Sequence, residues 1–335
     1  MINIFIGLSN NQVEHYQQLI PIIEGKENIL ITSNSLNVKE ELFTRVIYSS
    51  KSFNNQSSSY YMAIKNIISK ISEYKKIIDQ IEPYRSSINV RLYFTYIEDI
   101  LTNYLLFSFN KNLKGIVVED GTLNYYNHSI NDLNLKKVYL KKILCALQGI
   151  KFVIYEGHSS GIEYKKVIKQ YVRSPELSLF PLKSESLPYE KRDTTLTNTF
   201  LIIGQEAYIN SYGRDLYIKR LKELMLIIKQ NQEYSNTNTI YYKPHRNGER
   251  INYELLEKTF EEKKVKILDS DLPLEDLYFN ELGSKHIFSF DSSALLNIFI
   301  ESKKEIQKKI HFVVLLKYNK KLKPIFKKFN FKIIE

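Results

Sequence analysis

Five short stretches of this chain carry side chains suited to chemistry. Glu119 and Asp120 follow the apolar run "LKGIVV" (113–118) and stop at Gly121. A carboxylate at such a strand end can take a proton from an attacking hydroxyl if its surroundings raise its pKa toward neutrality. An acidic pair before glycine is equally ordinary turn chemistry. Lys243, Pro244, His245 and Arg246 close the run "TIYYKP" (239–244). Their basic side chains suit a phosphate, and a protonated histidine can serve a leaving group as general acid. A plain basic loop is the other reading. Ser292 and Ser293 stand where a strand gives way to a helical stripe in "HIFSFDSSALLNIFIES" (286–302). Serine caps helices, and a helix start also offers free N–H groups and a positive dipole end to an anion. Gly204 and Gln205 end "LIIG" (201–204), where Gln205 can reach a base or ribose. Glu275 lies in the first helical turn of "LPLEDLYFN" (272–280), either as ordinary N-terminal chemistry or gripping ribose hydroxyls.

The elements that must position these residues alternate. Strands are expected at 2–7, 28–33, 44–49, 113–118 and 151–156, with helices over 11–23, 57–80, 96–109 and 133–147. The helix over 57–80 places Ile64, Ile67, Ile68, Ile71 and Ile78 on one stripe. A second series has strands at 199–204, 239–244, 264–269, 285–290 and 309–314, with helices at 212–230 and 251–262. In the first of these helices Leu216, Leu221, Leu224, Met225 and Ile228 recur at helical spacing. Such alternation argues α/β architecture with parallel sheets covered on both faces. Residues 173–198 hold three of the eight prolines and lack periodicity, so they are expected to link domains 1–172 and 199–335. Ligands in such sheets collect beyond the carboxyl ends of the strands, here across a cleft between the domains.

Bulk properties narrow the function. A chain of 335 residues suits two domains. Cys145 is the single cysteine, which excludes an internal disulfide and fits a reducing compartment. The apolar start "MINIFIG" lacks a basic flank and does not read as a signal peptide. The six histidines are dispersed, with no H-E-x-x-H, so no metal is expected. Neither a P-loop nor a G-x-G-x-x-G fingerprint is present. "EGHSSG" (156–161) lacks a nucleophile elbow and reads as a plain loop. The net charge of +11 concentrates at the end, with eleven Lys from Lys303 to Glu335. That basic face suits an anionic membrane or an acidic ligand. No nucleic-acid signature accompanies it, so no nucleic-acid partner is expected.

In order and spacing, "EDG" (119–121), "KPHR" (243–246) and "SS" (292–293) resemble the motifs of bacterial sialyltransferases with a GT-B fold. That group includes lipooligosaccharide and capsule sialyltransferases and related polysialyltransferases. "IGQ" (203–205) is similar to the stretch opening their nucleotide-binding domain, and Arg246 stands where the family usually has proline. The resemblance implies two Rossmann-like domains facing each other across a cleft, the first binding acceptor and the second donor. It implies inverting, metal-independent transfer of sialic acid from CMP-sialic acid to a terminal sugar, galactose by expectation, of a surface glycan. No cofactor beyond the donor is implied. Glu119 would be the base, with Asp120 less favoured, and His245 would serve the departing phosphate. Ser292 and Ser293 would bind that phosphate, with Gly204, Gln205, Lys243, Pro244, Arg246 and Glu275 completing the nucleotide site. The expected setting is cytoplasmic, with the basic C-terminal face resting on the inner surface of the plasma membrane. A transferase using another nucleotide sugar, or a non-catalytic polyanion binder, are the competing readings.

Overall fold

The computed structural model describes residues 1–50, 60–133, 135–245, 248–270 and 272–335. The chain divides into two compact units, Met1–Tyr189 and Glu190–Glu335.

The first unit is built on a seven-stranded sheet of order β3-β2-β1-β4-β5-β6-β7, every pairing parallel. Its strands are β1 (Ile2–Gly7), β2 (Glu27–Ser33), β3 (Arg45–Ser49), β4 (Val90–Phe94), β5 (Lys114–Val118), β6 (Val167–Val172) and β7 (Ser184–Ser186). Side chains alternate between faces along a strand, and both faces are covered. Ile4 and Ile6 of β1 pack with Ile71, Tyr74 and Ile78 of the helix Tyr60–Ile81. Phe5, between them, packs instead with Val13, Tyr16 and Leu19 of the helix Asn10–Leu19. The strand order reverses between β1 and β4, which makes the carboxyl ends of those strands the topological switch point.

The second unit repeats the plan with β8 (Thr197–Ile203), β9 (Thr239–Lys243), β10 (Lys264–Ile267), β11 (Ser284–Ser289), β12 (His311–Leu315) and β13 (Lys332–Ile334). Their order is β10-β9-β8-β11-β12-β13, again wholly parallel, with the switch point between β8 and β11. Phe200, Ile202, Tyr242 and Phe288 meet the buried stripe Tyr217, Leu221, Leu224, Met225 and Ile228 of the helix Arg214–Lys229. Leu216, expected on that stripe, is 38% exposed, and Tyr217 takes the inward position.

Three expectations change. The segment 151–156 forms no strand. The Asn103 amide bonds both Val153 N–H (2.8 Å) and Val153 C=O (2.9 Å), and β6 occupies the place beside β5. The helix expected from residue 96 begins at Ile100, because Asp99 caps it by accepting from Leu101 N–H and Thr102 N–H. The linker expected at 173–198 contains two short helical turns and an edge strand. Ser184–Ser186 pairs with β6 in the first unit, whereas Arg192 N–H bonds Glu301 C=O (2.7 Å) in the second. An edge strand of three residues carries too little periodicity to be seen in sequence. The start of the expected helix 57–80 lies outside the described residues. Among the described residues no helix is long and apolar enough to cross a membrane.

Candidate active site

Glu119 remains in the β5–β6 ladder through its N–H to Tyr171 C=O (2.9 Å). Its side chain is completely buried. Oε1 accepts from Arg173 Nε (2.8 Å) and pairs with Nη2 (2.7 Å). Oε2 accepts from Arg173 N–H (2.6 Å) and Tyr125 OH (2.5 Å). Four bonds occupy the carboxylate, so it has no free lone pair directed at a substrate. What it does is tie the end of β5 to the end of β6.

The next residue leaves the ladder. Gly121 takes φ +58°, a left-handed conformation that glycine adopts without strain, and the chain turns there. Asp120 is half-buried, and its Oδ2 accepts from Gln12 Nε2 (2.9 Å) and Tyr96 OH (2.7 Å). Gln12 opens the helix after β1 and Tyr96 follows β4, so this carboxylate sits at the switch point of the first sheet. Its Oδ1 carries no hydrogen bond among the described residues and remains able to accept. Of the pair expected to supply the base, Glu119 has both carboxylate oxygens occupied, and Asp120 is the one with an open oxygen. His15 joins them from the same helix, its Nδ1 3.0 Å from Glu119 C=O. A carbonyl only accepts, so Nδ1 carries the hydrogen and Nε2 keeps a lone pair. Burial pushes the His15 pKa down, and the nearby Arg173 cation adds to this.

In the second unit three of the sequence stretches converge. Gly204 and Gln205 follow β8, Pro244 and His245 follow β9, and Ser292 follows β11, so they rise from three adjacent strands. Glu206 organises this end. It is completely buried, and accepts from Tyr242 OH (2.5 Å) and His245 N–H (2.7 Å). Burial raises its pKa, opposed by those hydrogen bonds. A side chain at residue 204 would put Cβ 2.6 Å from both Glu206 Oε2 and the Tyr242 hydroxyl, so glycine makes room for the carboxylate. The His245 main chain is thereby fixed, with its ring half-buried.

Ser292 is the N-cap of the helix Ser293–Glu301, its Oγ accepting from Ala294 N–H (3.3 Å). Ser293 is the exposed first residue of that helix. Asp291, just before, is held by Tyr208 OH (2.8 Å) and Asn319 N–H (2.6 Å). Glu275 Oε1 accepts from Asn297 Nδ2 (2.6 Å), which brings it against the same helix. Lys243 departs from expectation. It is 9% exposed, and its ammonium donates to Leu268 C=O and Ser270 C=O, which directs its charge into the end of β10. Arg246 lies outside the described residues.

Sequence reasoning passed over Arg173, Gln12, His15, Tyr96 and Glu206. Glu206 had a visible signal, a charge immediately after a strand-ending "IGQ". Arg173 had none, because β6 ("VIKQYV") alternates too irregularly to be read as a strand. The loop "EGHSSG" is more than a plain loop. His158 and Ser160 are buried and bonded (2.8 Å), and His158 Nε2 meets Tyr126 C=O (3.0 Å), which makes the loop a structural knot.

The model of the alpha-2,8-polysialyltransferase (POLYST) family matches residues 3–300. No curated protein sequence matches the chain. Among solved structures, Os79 from O. sativa in complex with UDP is similar with a TM-score of 0.52 and 9% identity, covering 98% of this chain and 84% of that one. A glycosyltransferase from Rickettsia africae ESF-5 is similar with a TM-score of 0.48 and 14% identity, covering 100% and 84%. A UDP-glucosyltransferase from Polygonum tinctorium gives 0.48 and 10%, covering 97% and 82%. At 9% identity the likeness to Os79 concerns the fold alone, and with the two parallel sheets it agrees with the GT-B class of two Rossmann-like domains expected from the sequence.

Proposed function

This chain belongs to the alpha-2,8-polysialyltransferase family and is a glycosyltransferase of the sialyltransferase type, and on that premise we propose that it moves sialic acid from CMP-sialic acid to a terminal sugar, galactose or sialic acid, with inversion and without a metal. The observation that carries this reading is the convergence of Gly204-Gln205, His245 and Ser292 at the carboxyl ends of three neighbouring strands around a switch point. That is where a doubly wound sheet receives a nucleotide.

In the proposed reaction the acceptor oxygen bonds to the anomeric carbon as the bond from that carbon to the CMP phosphate breaks. Asp120 takes the acceptor proton through its open Oδ1, aligned by Gln12 and Tyr96 on Oδ2. His15 Nε2 adds an acceptor for a neighbouring hydroxyl. Charge developing on the phosphate is met by His245, held by Glu206, and by the N-terminal turn of the helix Ser293–Glu301 with the Ser292 and Ser293 hydroxyls. Such donors act most strongly where charge appears in the transition state. Glu275 Oε2 is the proposed ribose contact. The eleven Lys between Lys303 and Glu335 support a further reading, peripheral attachment to an anionic membrane carrying a lipid-linked acceptor such as a lipooligosaccharide or capsule glycan.

The test is direct. CMP should raise the melting temperature, and CMP-sialic acid should be turned over in EDTA with a galactoside or sialoside acceptor. Stabilisation by UDP and not CMP would move the activity to another sugar nucleotide. Salt-sensitive polyanion binding without any nucleotide effect would remove the transferase reading of the site. Flotation with anionic vesicles at low salt checks attachment, and no binding there would discard it.

A further inference from the structure

The amino-terminal ends of the second sheet, opposite the nucleotide end, hold a feature the transfer chemistry does not use. His286 of β11 and His311 of β12 are register partners, and their rings stack with centroids 4.9 Å apart and planes 13° apart. His286 is only 3% exposed, yet among the described residues neither of its ring nitrogens has a hydrogen-bond partner. Buried polar atoms are paired in the great majority of cases, so a doubly unpaired imidazole calls for a ligand.

His286 lines a cavity of about 880 Å³ beneath β11, β12 and β13. This lies within the ~300–1,000 Å³ range of ligand pockets and far above the ~30 Å³ share of one water. Amide side chains of Gln230, Asn231, Gln307 and Asn330 also line it, together with the half-buried ring of Phe299. Lys304, Lys308 and Lys332 are exposed at its border. His311 is shared with an adjoining cavity of about 520 Å³ that includes Lys285 and Lys309.

These groups select a chemical class. Burial lowers the His286 pKa to about 4, with the charges of His311 and Lys285 adding to this, so at neutral pH the ring offers one N–H and one lone pair. A hydroxyl both accepts and donates and can satisfy that edge, and a sugar brings several of them at once. Amides bind further hydroxyls, an aromatic ring covers a sugar C–H face, and three lysines against the single lining carboxylate Glu233 favour a negative charge. We propose that this groove is a second ligand site, which holds an acidic oligosaccharide with its hydroxyls on His286 and the amides and its carboxylates on the lysines. The inference goes beyond the transfer reaction and does not depend on which donor or base that reaction uses.

The test uses the full chain labelled with ¹⁵N and saturated with CMP. Trisialic acid, maltotriose and inorganic phosphate are added separately while the imidazole resonances are followed. Trisialic acid is expected to shift His286 and His311, with maltotriose binding at least about tenfold more weakly because it lacks carboxylates. His286→Phe should weaken trisialic acid binding about tenfold. The double variant Lys308→Glu with Lys332→Glu, at exposed positions that spare the core, should do the same. The proposal is overturned if the imidazole signals do not move with trisialic acid, if its affinity is unchanged in the double lysine variant, or if inorganic phosphate reproduces the shifts.

Discussion

Each unit buries one carboxylate at a strand end, and the two are compensated differently. Glu119 faces a guanidinium, two N–H groups of Arg173 plus its backbone N–H, and a tyrosine hydroxyl. Glu206 accepts from a tyrosine hydroxyl and the His245 N–H, with its own main-chain N–H and the charge of Arg250 adding smaller support, and among the described residues no cation forms an ion pair with it. Glu206 fixes the main chain of His245 directly, whereas Glu119 ties down the strand end that precedes Asp120. The difference is that the first clamp pairs its charge directly with a guanidinium, whereas in the second burial outweighs the hydrogen bonds and the Arg250 charge. The first should therefore fail when its cation is removed, and the second should respond to pH.

Arg173→Met gives the largest expected effect. It leaves Glu119 buried without its countercharge, at a cost of about 3–5 kcal/mol. Urea unfolding measures it, and a loss below about 1 kcal/mol would deny the clamp its role. Asp120→Asn should lower kcat about 10²–10⁴-fold with little change in stability. Glu119→Gln should do the reverse, losing about 1–3 kcal/mol while the folded fraction still turns over. The opposite pattern in steady-state rates would return the base to Glu119.

Glu206→Gln tests the second clamp. The folded pKa of Glu206 is raised, so its contribution to stability is complete below the unfolded pKa and is lost as pH rises through the folded one. The variant should remove this decline, which can reach about 1.4 kcal/mol per pH unit. Identical pH profiles of wild type and variant would show that Glu206 is compensated after all. Ser292→Ala should have the smallest effect, about 1 kcal/mol of stability from the lost cap, with weaker CMP binding in calorimetry. Unchanged CMP affinity would separate capping from phosphate binding.

The sequence was legible where apolar runs are long and unbroken. β1, β2, β8 and β11 are such runs, and the ends of β8 and β11 carry two of the motifs. It was opaque where a strand buries polar groups. Gln170 of β6 is completely buried, bonded to Asn124 (2.9 Å) and Ser184 (2.8 Å), and such a residue breaks the apolar pattern. β4 ("VRLYF") is short, and the half-buried Arg91 interrupts its apolar run. With β6 hidden, Arg173 was hidden too. Nothing local distinguishes Glu119 from Asp120, because the group that separates them lies 54 residues away.

The three residues of β7 also bear on how the protein behaves in a crowded solution. They form the outer edge of the first sheet, with Glu185 at their centre, paired to Lys169 (2.7 Å), and Pro181 and Pro188 on either side. An open sheet edge invites another chain to add a strand, and short length, charge and proline all discourage it. The segment that resembles a linker in sequence thus acts as a stop against intermolecular β-pairing. Longer or more apolar residues at Ser184–Ser186 would be expected to increase aggregation on concentration, an outcome light scattering would detect.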